Sequence, residues 1–269
     1  MRRAIFPLAC GAIVAMIALA SLLAPWIAPY GETALVGDLW EGWSLTHPLG
    51  TDSIGRDLLS RLLFGTRNTV AVALAATLLS FTIGVILAFT AAVFQGWIDQ
   101  ALSRSVDILM SIPTLIMALV VLSVLGTSIP VLIAVMAVLD STRVFRLARS
   151  LAVDVMALDF VETARLRGEG FWWFLRREIL PNVTPSLLAE FGLRFSFAAL
   201  FLSSLSFLGL GIRPPFADLG SMVKENANAI TFGVAVPLVP AAMIALITVS
   251  VNALVDWQVR RATGPVGHG

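Results

Sequence analysis

The chain has 269 residues, of which 58% are hydrophobic and only 13% are charged, and its mean hydropathy is +0.91. A water-soluble fold of this length cannot bury so much apolar surface, so the composition indicates a membrane protein. The net charge of +1 gives no reason to expect nucleic-acid binding, and the single cysteine, Cys10, excludes an internal disulfide and a cysteine-rich metal site.

Uncharged windows of about 20 residues predict membrane spans, and the first two cover residues 4–24 and 68–98. The next window, 108–139, is broken at its centre by Gly126 to Pro130. It is too short for two crossings, so we expect span three to begin before Asp107 and span four to run past Arg143.

Residues 185–212 predict span five, and residues 226–255 predict span six. Within span five, Glu190 and Arg194 lie one helical turn apart and can neutralise each other. We expect Pro237 and Pro240 to kink the first half of span six. Six spans put both termini on one side, and the excess of arginines on that side predicts that both are cytoplasmic.

Two connections between the spans are long. On the outside, the helical spacing of polar and apolar residues in 51–64 predicts an amphipathic helix on the membrane surface. On the inside, residues 154–182 predict two short helices, separated at Gly168 and ended by Pro181. From the residues alone, this inner loop is either a hairpin anchored to lipid by the aromatic residues 171–174 or a docking element.

The inner loop contains Glu162-Thr163-Ala164, a glycine four residues later and a distant Leu-Pro pair, and in this it resembles the EAA loop of ABC-importer permeases. In that family a short coupling helix in the loop fits a groove on the ATPase. The small Thr163 and Ala164 permit close approach of such a partner, although Thr163 replaces the usual alanine and Glu178 replaces an apolar residue. The resemblance implies seven residues for ATPase coupling: Glu162, Thr163, Ala164, Arg165, Gly168, Leu180 and Pro181.

Other segments resemble the C-type permeases of dipeptide, oligopeptide and nickel importers, among them residues 47–57, 143–146 and 205–211. The resemblance implies an all-α membrane protein with the six transmembrane helices of a type I ABC importer, an outer amphipathic helix and an inner coupling helix. It divides the chain into a first span with a periplasmic segment (1–66), a five-helix core that contains the EAA loop (67–260) and a cytoplasmic tail (261–269).

The same resemblance implies a bacterial inner-membrane location and several partners: a second permease subunit, two ABC ATPase subunits, a solute-binding protein and the surrounding lipid. The only lysine, Lys224, is followed by Glu225, so the chain lacks a Walker A loop. We therefore expect ATP and Mg²⁺ to bind to the partner ATPases, and we predict no cofactor, metal or catalytic site in this chain.

Charged residues at membrane depth are costly and are therefore functional candidates. Structural pairing competes with function for several of them, since Asp140 can pair with Arg143 and Asp256 lies near Arg260. Two other functions stay open: an ion-driven carrier that uses Asp107, Glu190 or Asp256 as coupling groups, and a non-transporting scaffold. The candidates for translocation or gating are Asp107, Pro113, Glu190, Arg194 and Asp256.

Overall fold

The computed structural model describes residues 2–263, except for the side chains of residues 2–8, 165 and 260–263. This part of the chain is helical and contains no β-strand, only two isolated β-bridges. In chain order the helices are α1 (Arg2–Ile27), α2 (Leu58–Phe94), α3 (Gly96–Ser111), α4 (Thr114–Leu125), α5 (Ile129–Met156), α6 (Asp159–Leu166), α7 (Phe171–Trp173), a π-helical segment (Phe174–Ile179), α8 (Leu180–Phe207), α9 (Leu219–Glu225), a 3-10 helix (Ala227–Phe232) and α10 (Leu238–Thr263).

Four helical segments among the described residues are long and apolar enough to cross a membrane: α1, α2, the continuous helix Phe171–Phe207, and α10. The pair α3 and α4 passes the same test as one bent unit. Helix α5 is also long, but Asp140 and three arginines interrupt its apolar sequence. Hydropathy therefore identifies up to five of the six spans that we expected.

The long helices connect two ends of the bundle, which we call the α6 end and the α9 end after the short helices located there. At the α6 end, Arg149 Nε near the end of α5 lies 2.5 Å from Asp99 Oδ1 at the start of α3. At the α9 end, Arg213 after α8 donates a hydrogen bond to Thr127, just before α5. The bent pair α3–α4 therefore runs from the α6 end to the α9 end, and α5 returns.

The bend between α3 and α4 measures 86° and lies at Ile112 and Pro113. Ile112 is extended, with φ −94° and ψ 131°. The ring of a proline disfavours helical geometry in the residue before it, and proline itself has no N–H to continue the helical hydrogen bonds. Pro113 thus breaks this span completely.

The expected amphipathic helix at residues 51–64 is wrong. Its second half forms the first turns of α2, whose N-terminus is capped by the Asp57 side chain accepting from the Ser60 N–H. Leu58 and Arg61 are almost completely buried, at 0% and 1% exposure, so this helix does not lie on a surface. Residues 66 and 67 both lie inside α2, and the division of the chain there stays a prediction.

The expected effects of three prolines are also wrong. Pro181 does not end a helix, because the preceding segment widens to a π-helix, in which the Leu180 N–H donates to the Leu175 carbonyl, and continues into α8. Helix α10 begins at Leu238, so Pro237 precedes it and Pro240 lies in its first turn. Neither proline kinks the span, since the N–H groups of a first turn have no partner within the helix.

Candidate functional site

Helix α6 displays a short amphipathic surface at the α6 end of the bundle. Val161 and Ala164 are completely buried, whereas Glu162 and Thr163 are exposed. The turn after α6 depends on Gly168, whose φ of +78° is unfavourable for residues with a side chain. The helix therefore has one face fixed to the protein and another free to meet a partner.

The buried face of α6 packs into a hydrophobic cluster that also contains residues of the long helices. Phe89 of α2, Phe145 of α5 and Phe174 of the π-helical segment belong to this cluster together with Ala164. We expected Ala164 to permit close approach of a partner, but its side chain instead permits close packing inside this chain. The buried face of α6 is therefore part of the same hydrophobic cluster as residues of α2, α5 and α8.

A hollow of about 360 Å³ lies beside the exposed face of α6. Glu162 and Leu166 line it from α6, and Met156, Ala157 and Leu158 line it from the end of α5. Leu166 is 85% exposed and therefore presents apolar surface beside this hollow. Leu180 and Pro181 are also exposed, whereas the Arg165 side chain lies outside the described residues.

The four aromatic residues after Gly170 have different environments. Phe174 is buried in the cluster, and Phe171 stacks on Phe94 with ring centroids 5.4 Å apart. Trp172 is 65% exposed, and the Arg176 guanidinium lies 5.8 Å from its ring centroid. The segment is therefore mainly packed against this chain, and Trp172 alone presents a large exposed aromatic surface.

A second candidate site is a cavity of about 670 Å³ halfway along the long helices. Residues from the middle of α2, α5 and α8 line it, represented by Thr77, Asp140 and Arg194. Pro113, at the break between α3 and α4, lines it as well. Its volume falls within the range of roughly 300–1,000 Å³ that is typical of sites for small ligands.

Three charged side chains line this cavity, and a fourth, Glu190, pairs with one of them. Arg194 Nε is 2.6 Å from Glu190 Oε1, which confirms the predicted pair, and Arg194 Nη1 is 3.4 Å from Asp140 Oδ1. The second oxygen of Asp140 accepts from the Ser80 hydroxyl at 3.3 Å. The predicted pair between Asp140 and Arg143 is also present, with a longer distance of 3.9 Å. Two carboxylates thus balance two guanidiniums.

The other candidates for translocation or gating lie apart from this network. Asp107 is an exposed residue of α3, and Asp256 is an exposed residue of α10. The predicted contact of Asp256 with Arg260 lies outside the described residues, because the Arg260 side chain is among those left undescribed. Arg143 was missed as a candidate, although its place one turn after Asp140 is a signal that the sequence contains.

The α9 end contains a buried ionic cluster that sequence reasoning also missed. Asp52 Oδ2 lies 2.6 Å from both Arg56 Nε and Arg61 Nη1. Glu225 Oε2, from α9, lies 2.7 Å from Nη2 of Arg56 and Nη1 of Arg61. Burial raises the pKa of Asp52, but the N–H groups of Arg56 and Ile54 and the Arg61 guanidinium oppose it, and the pKa ends below its ordinary value of 3.8. The cluster therefore joins the loop before α2 to α9.

Comparison with known proteins gives consistent findings. The sequence pattern of the family described as "Binding-protein-dependent transport system inner membrane component" matches residues 80–264. The glutathione transport system permease protein GsiD of Pectobacterium atrosepticum is 32% identical over 250 residues, which cover 92% of this chain and 83% of that protein. The dipeptide transport system permease protein DppC of Haemophilus influenzae is 32% identical over 250 residues, or 90% of this chain and 85% of that protein.

A solved structure supports the fold. It is described as the crystal structure of an amino acid ABC transporter with histidines. The superposition covers 76% of this chain and 98% of the chain in that structure. The TM-score between the two structures is 0.51 and their sequence identity is 22%, so the similarity concerns the fold alone.

Proposed function

Because the chain belongs to the family of binding-protein-dependent transport system inner membrane components, we propose that it forms half of a translocation pathway for peptides or similar small solutes. It is a permease subunit of an ABC importer and is not itself an enzyme, since separate ATPase subunits hydrolyse ATP. This membership sets aside the ion-driven carrier and the scaffold. The named substrates of the relatives, glutathione and dipeptides, support a peptide-like solute for this chain.

The observation that carries the mechanism is the position of α6. Its exposed face, with Glu162 beside the hollow of about 360 Å³, suits a protein partner at the α6 end. Its buried face, with Val161 and Ala164, is part of the cluster that contains α2, α5 and the start of α8. An ATPase that docks on the exposed face therefore moves the long helices when it binds or hydrolyses nucleotide.

The proposed topology has six crossings, with both termini and α6 in the cytoplasm. Helix α5 supplies the crossing that hydropathy does not identify, because its charges are paired or line the central cavity: Asp140 contacts Arg194, and Arg149 contacts Asp99 at the α6 end. The bent pair α3–α4 supplies another. The larger number of arginines at the α6 end supports a cytoplasmic location for that end.

The proposed complex contains this chain, a second permease subunit, two ATPase subunits and a solute-binding protein at the α9 end. The exposed side of the central cavity faces the second permease subunit in this arrangement. ATP and Mg²⁺ bind to the ATPases, because this chain has no Walker A lysine.

Co-purification of the ATPase subunits with tagged variants of this chain tests the docking assignment. We expect Glu162→Ala to reduce the recovered ATPase strongly, since the change removes a charge from the exposed face of α6. Asp154→Ala is the matched control, because Asp154 is an exposed acidic residue in the last turn of α5. Equal ATPase recovery with wild type and Glu162→Ala contradicts the assignment of Glu162.

A further inference from the structure

Two arginines line the central cavity, and they differ in their exposure and in their distances to carboxylates. Arg194 is 13% exposed and has carboxylate oxygens of Glu190 and Asp140 within 3.4 Å. Arg143 is 44% exposed, and its shortest distance to a carboxylate, 3.9 Å to Asp140, is too long for a hydrogen bond. Its guanidinium has five N–H donors, of which Nη2 donates a hydrogen bond of 3.3 Å to the Thr114 hydroxyl.

The remaining wall of the cavity is mostly apolar. Phe197 and Phe201 of α8 line it together with Leu115 of α4 and Met136 of α5. A carboxylate beside an apolar group matches this combination, because a guanidinium binds a carboxylate through two parallel hydrogen bonds while the apolar group contacts the wall. A neutral carbonyl accepts weaker hydrogen bonds from Arg143 than a carboxylate does, and a cationic solute is repelled by its charge.

We propose that Arg143 binds the carboxylate of the transported solute within the membrane, after the solute-binding protein has released it. This inference rests on the proposed function, since it assigns a place in the pathway to a peptide-like solute with a free C-terminal carboxylate. Asp140 and Glu190 both lie closer to Arg194 than to Arg143, so the more exposed Arg143 guanidinium has the donors that are accessible to that carboxylate. The site lies beside Pro113, where the break between α3 and α4 lets the wall of the cavity change when the span moves.

Calorimetric titration of the complete permease–ATPase complex in lipid nanodiscs, without the solute-binding protein, tests this site. The probes are the dipeptide alanyl-phenylalanine and its C-terminal amide, which differ only in the charged carboxylate. We expect wild type to bind the acid about 10- to 100-fold more tightly than the amide, as a hydrogen-bonded charge pair requires. Arg143→Gln is expected to bind both probes equally, and Arg143→Lys to keep part of the preference.

Arg146→Gln is the matched control, because Arg146 is an exposed arginine one turn later on α5 that does not line the cavity. It is expected to keep the full preference of wild type. Thermal unfolding of each variant shows whether it is folded. If Arg143→Gln does not fold, Arg143→Lys provides the test, because it keeps the positive charge. Equal binding of acid and amide by wild type, no binding by wild type, or an intact preference in Arg143→Gln overturns the inference.

Uptake by the wild-type complex in liposomes, with its binding protein present, separates the two proposals. Uptake of the dipeptide without binding in nanodiscs contradicts the Arg143 site alone. Absence of uptake for dipeptides and glutathione contradicts the proposed solute class, and the Arg143 site fails with it.

Discussion

Replacing Asp52 by asparagine removes the central anion of the buried cluster at the α9 end. Asp52 has no exposed surface and holds Arg56 and Arg61 at 2.6 Å, and without its charge the two guanidiniums share Glu225 alone. Breaking a buried ion pair by removing one partner costs about 3–5 kcal/mol. We therefore expect Asp52→Asn to lower the free energy of unfolding by about that amount, because the uncharged asparagine amide would lie beside two positively charged guanidiniums.

Thermal unfolding of the detergent-solubilised protein, followed by circular dichroism, measures this effect. The matched control is Asp38→Asn, a change of the same type at an exposed site in the same loop, with an expected effect within about 0.5 kcal/mol. Equal unfolding temperatures for Asp52→Asn and Asp38→Asn refute the reasoning.

The cost of Asp52→Asn also depends on pH, and the sign follows from the lowered pKa of Asp52. A carboxyl group whose pKa is lower in the folded state stabilises the fold above its unfolded pKa, which is near 3.8. This stabilisation disappears as the pH falls through the folded pKa. The difference between wild type and Asp52→Asn is therefore expected to stay constant between about pH 5 and 8 and to shrink only below about pH 4.

Three further predictions concern packing and pairing, and thermal unfolding checks each of them. Gly84→Ala is expected to destabilise the protein by about 1–3 kcal/mol, because the added Cβ would lie 2.7 Å from Val144 at the contact of α2 with α5. Gly11→Ala is expected to be neutral or stabilising, because its added Cβ would lie 3.8 Å from Leu254, which is an ordinary contact distance. Equal effects of the two substitutions contradict this prediction. Arg194→Gln is expected to lower the free energy of unfolding by about 3–5 kcal/mol. The double variant with Glu190→Gln is expected to regain part of that stability, because the two side chains form an ion pair. If the effects of the two substitutions simply add, the pair does not contribute to stability. Phe174→Ala is expected to cost about 3–5 kcal/mol, whereas Trp172→Ala, at an exposed site, is expected to have little effect on stability; the reverse order contradicts the assigned environments.

Much of the helical architecture follows from local patterns in the sequence. Uncharged windows predicted α1, most of α2 and the second half of α8, and the spacing of Glu190 and Arg194 predicted an ion pair that the structure contains. The ion pair depends on residues one helical turn apart, and the spans depend on the composition of one continuous segment, so a local stretch of sequence contains the whole signal.

The features that sequence reasoning missed depend on residues far apart in the chain. Asp140 contacts Arg194 from another helix, and Glu225 completes a cluster whose other members lie in the loop before α2 and in its first turns. The first turns of α2 have an amphipathic pattern, but Arg61 is buried because this distant Glu225 and Asp52 neutralise it. Pattern alone cannot distinguish such a residue from one that faces water.

The prolines show a second reason for failure. Pro113 breaks a span, Pro181 follows a π-helical segment without ending the helix, and Pro240 lies harmlessly in a first turn. All three prolines lack the backbone N–H, but the effect on the helix differs with the preceding turn. A helix continues through a proline where that turn widens or where the N–H groups have no helical partner, and it breaks elsewhere.

Solute uptake into liposomes tests most directly whether this chain is the membrane subunit of an ATP-driven importer. The liposomes contain the complete permease–ATPase complex, with ATP enclosed and the solute-binding protein outside. We expect uptake of labelled dipeptide or glutathione that requires both the enclosed ATP and the external binding protein and that continues when a protonophore removes the proton gradient. Uptake that persists without ATP, or that the protonophore abolishes, would contradict the assignment of this chain as the membrane half of an ATP-driven importer.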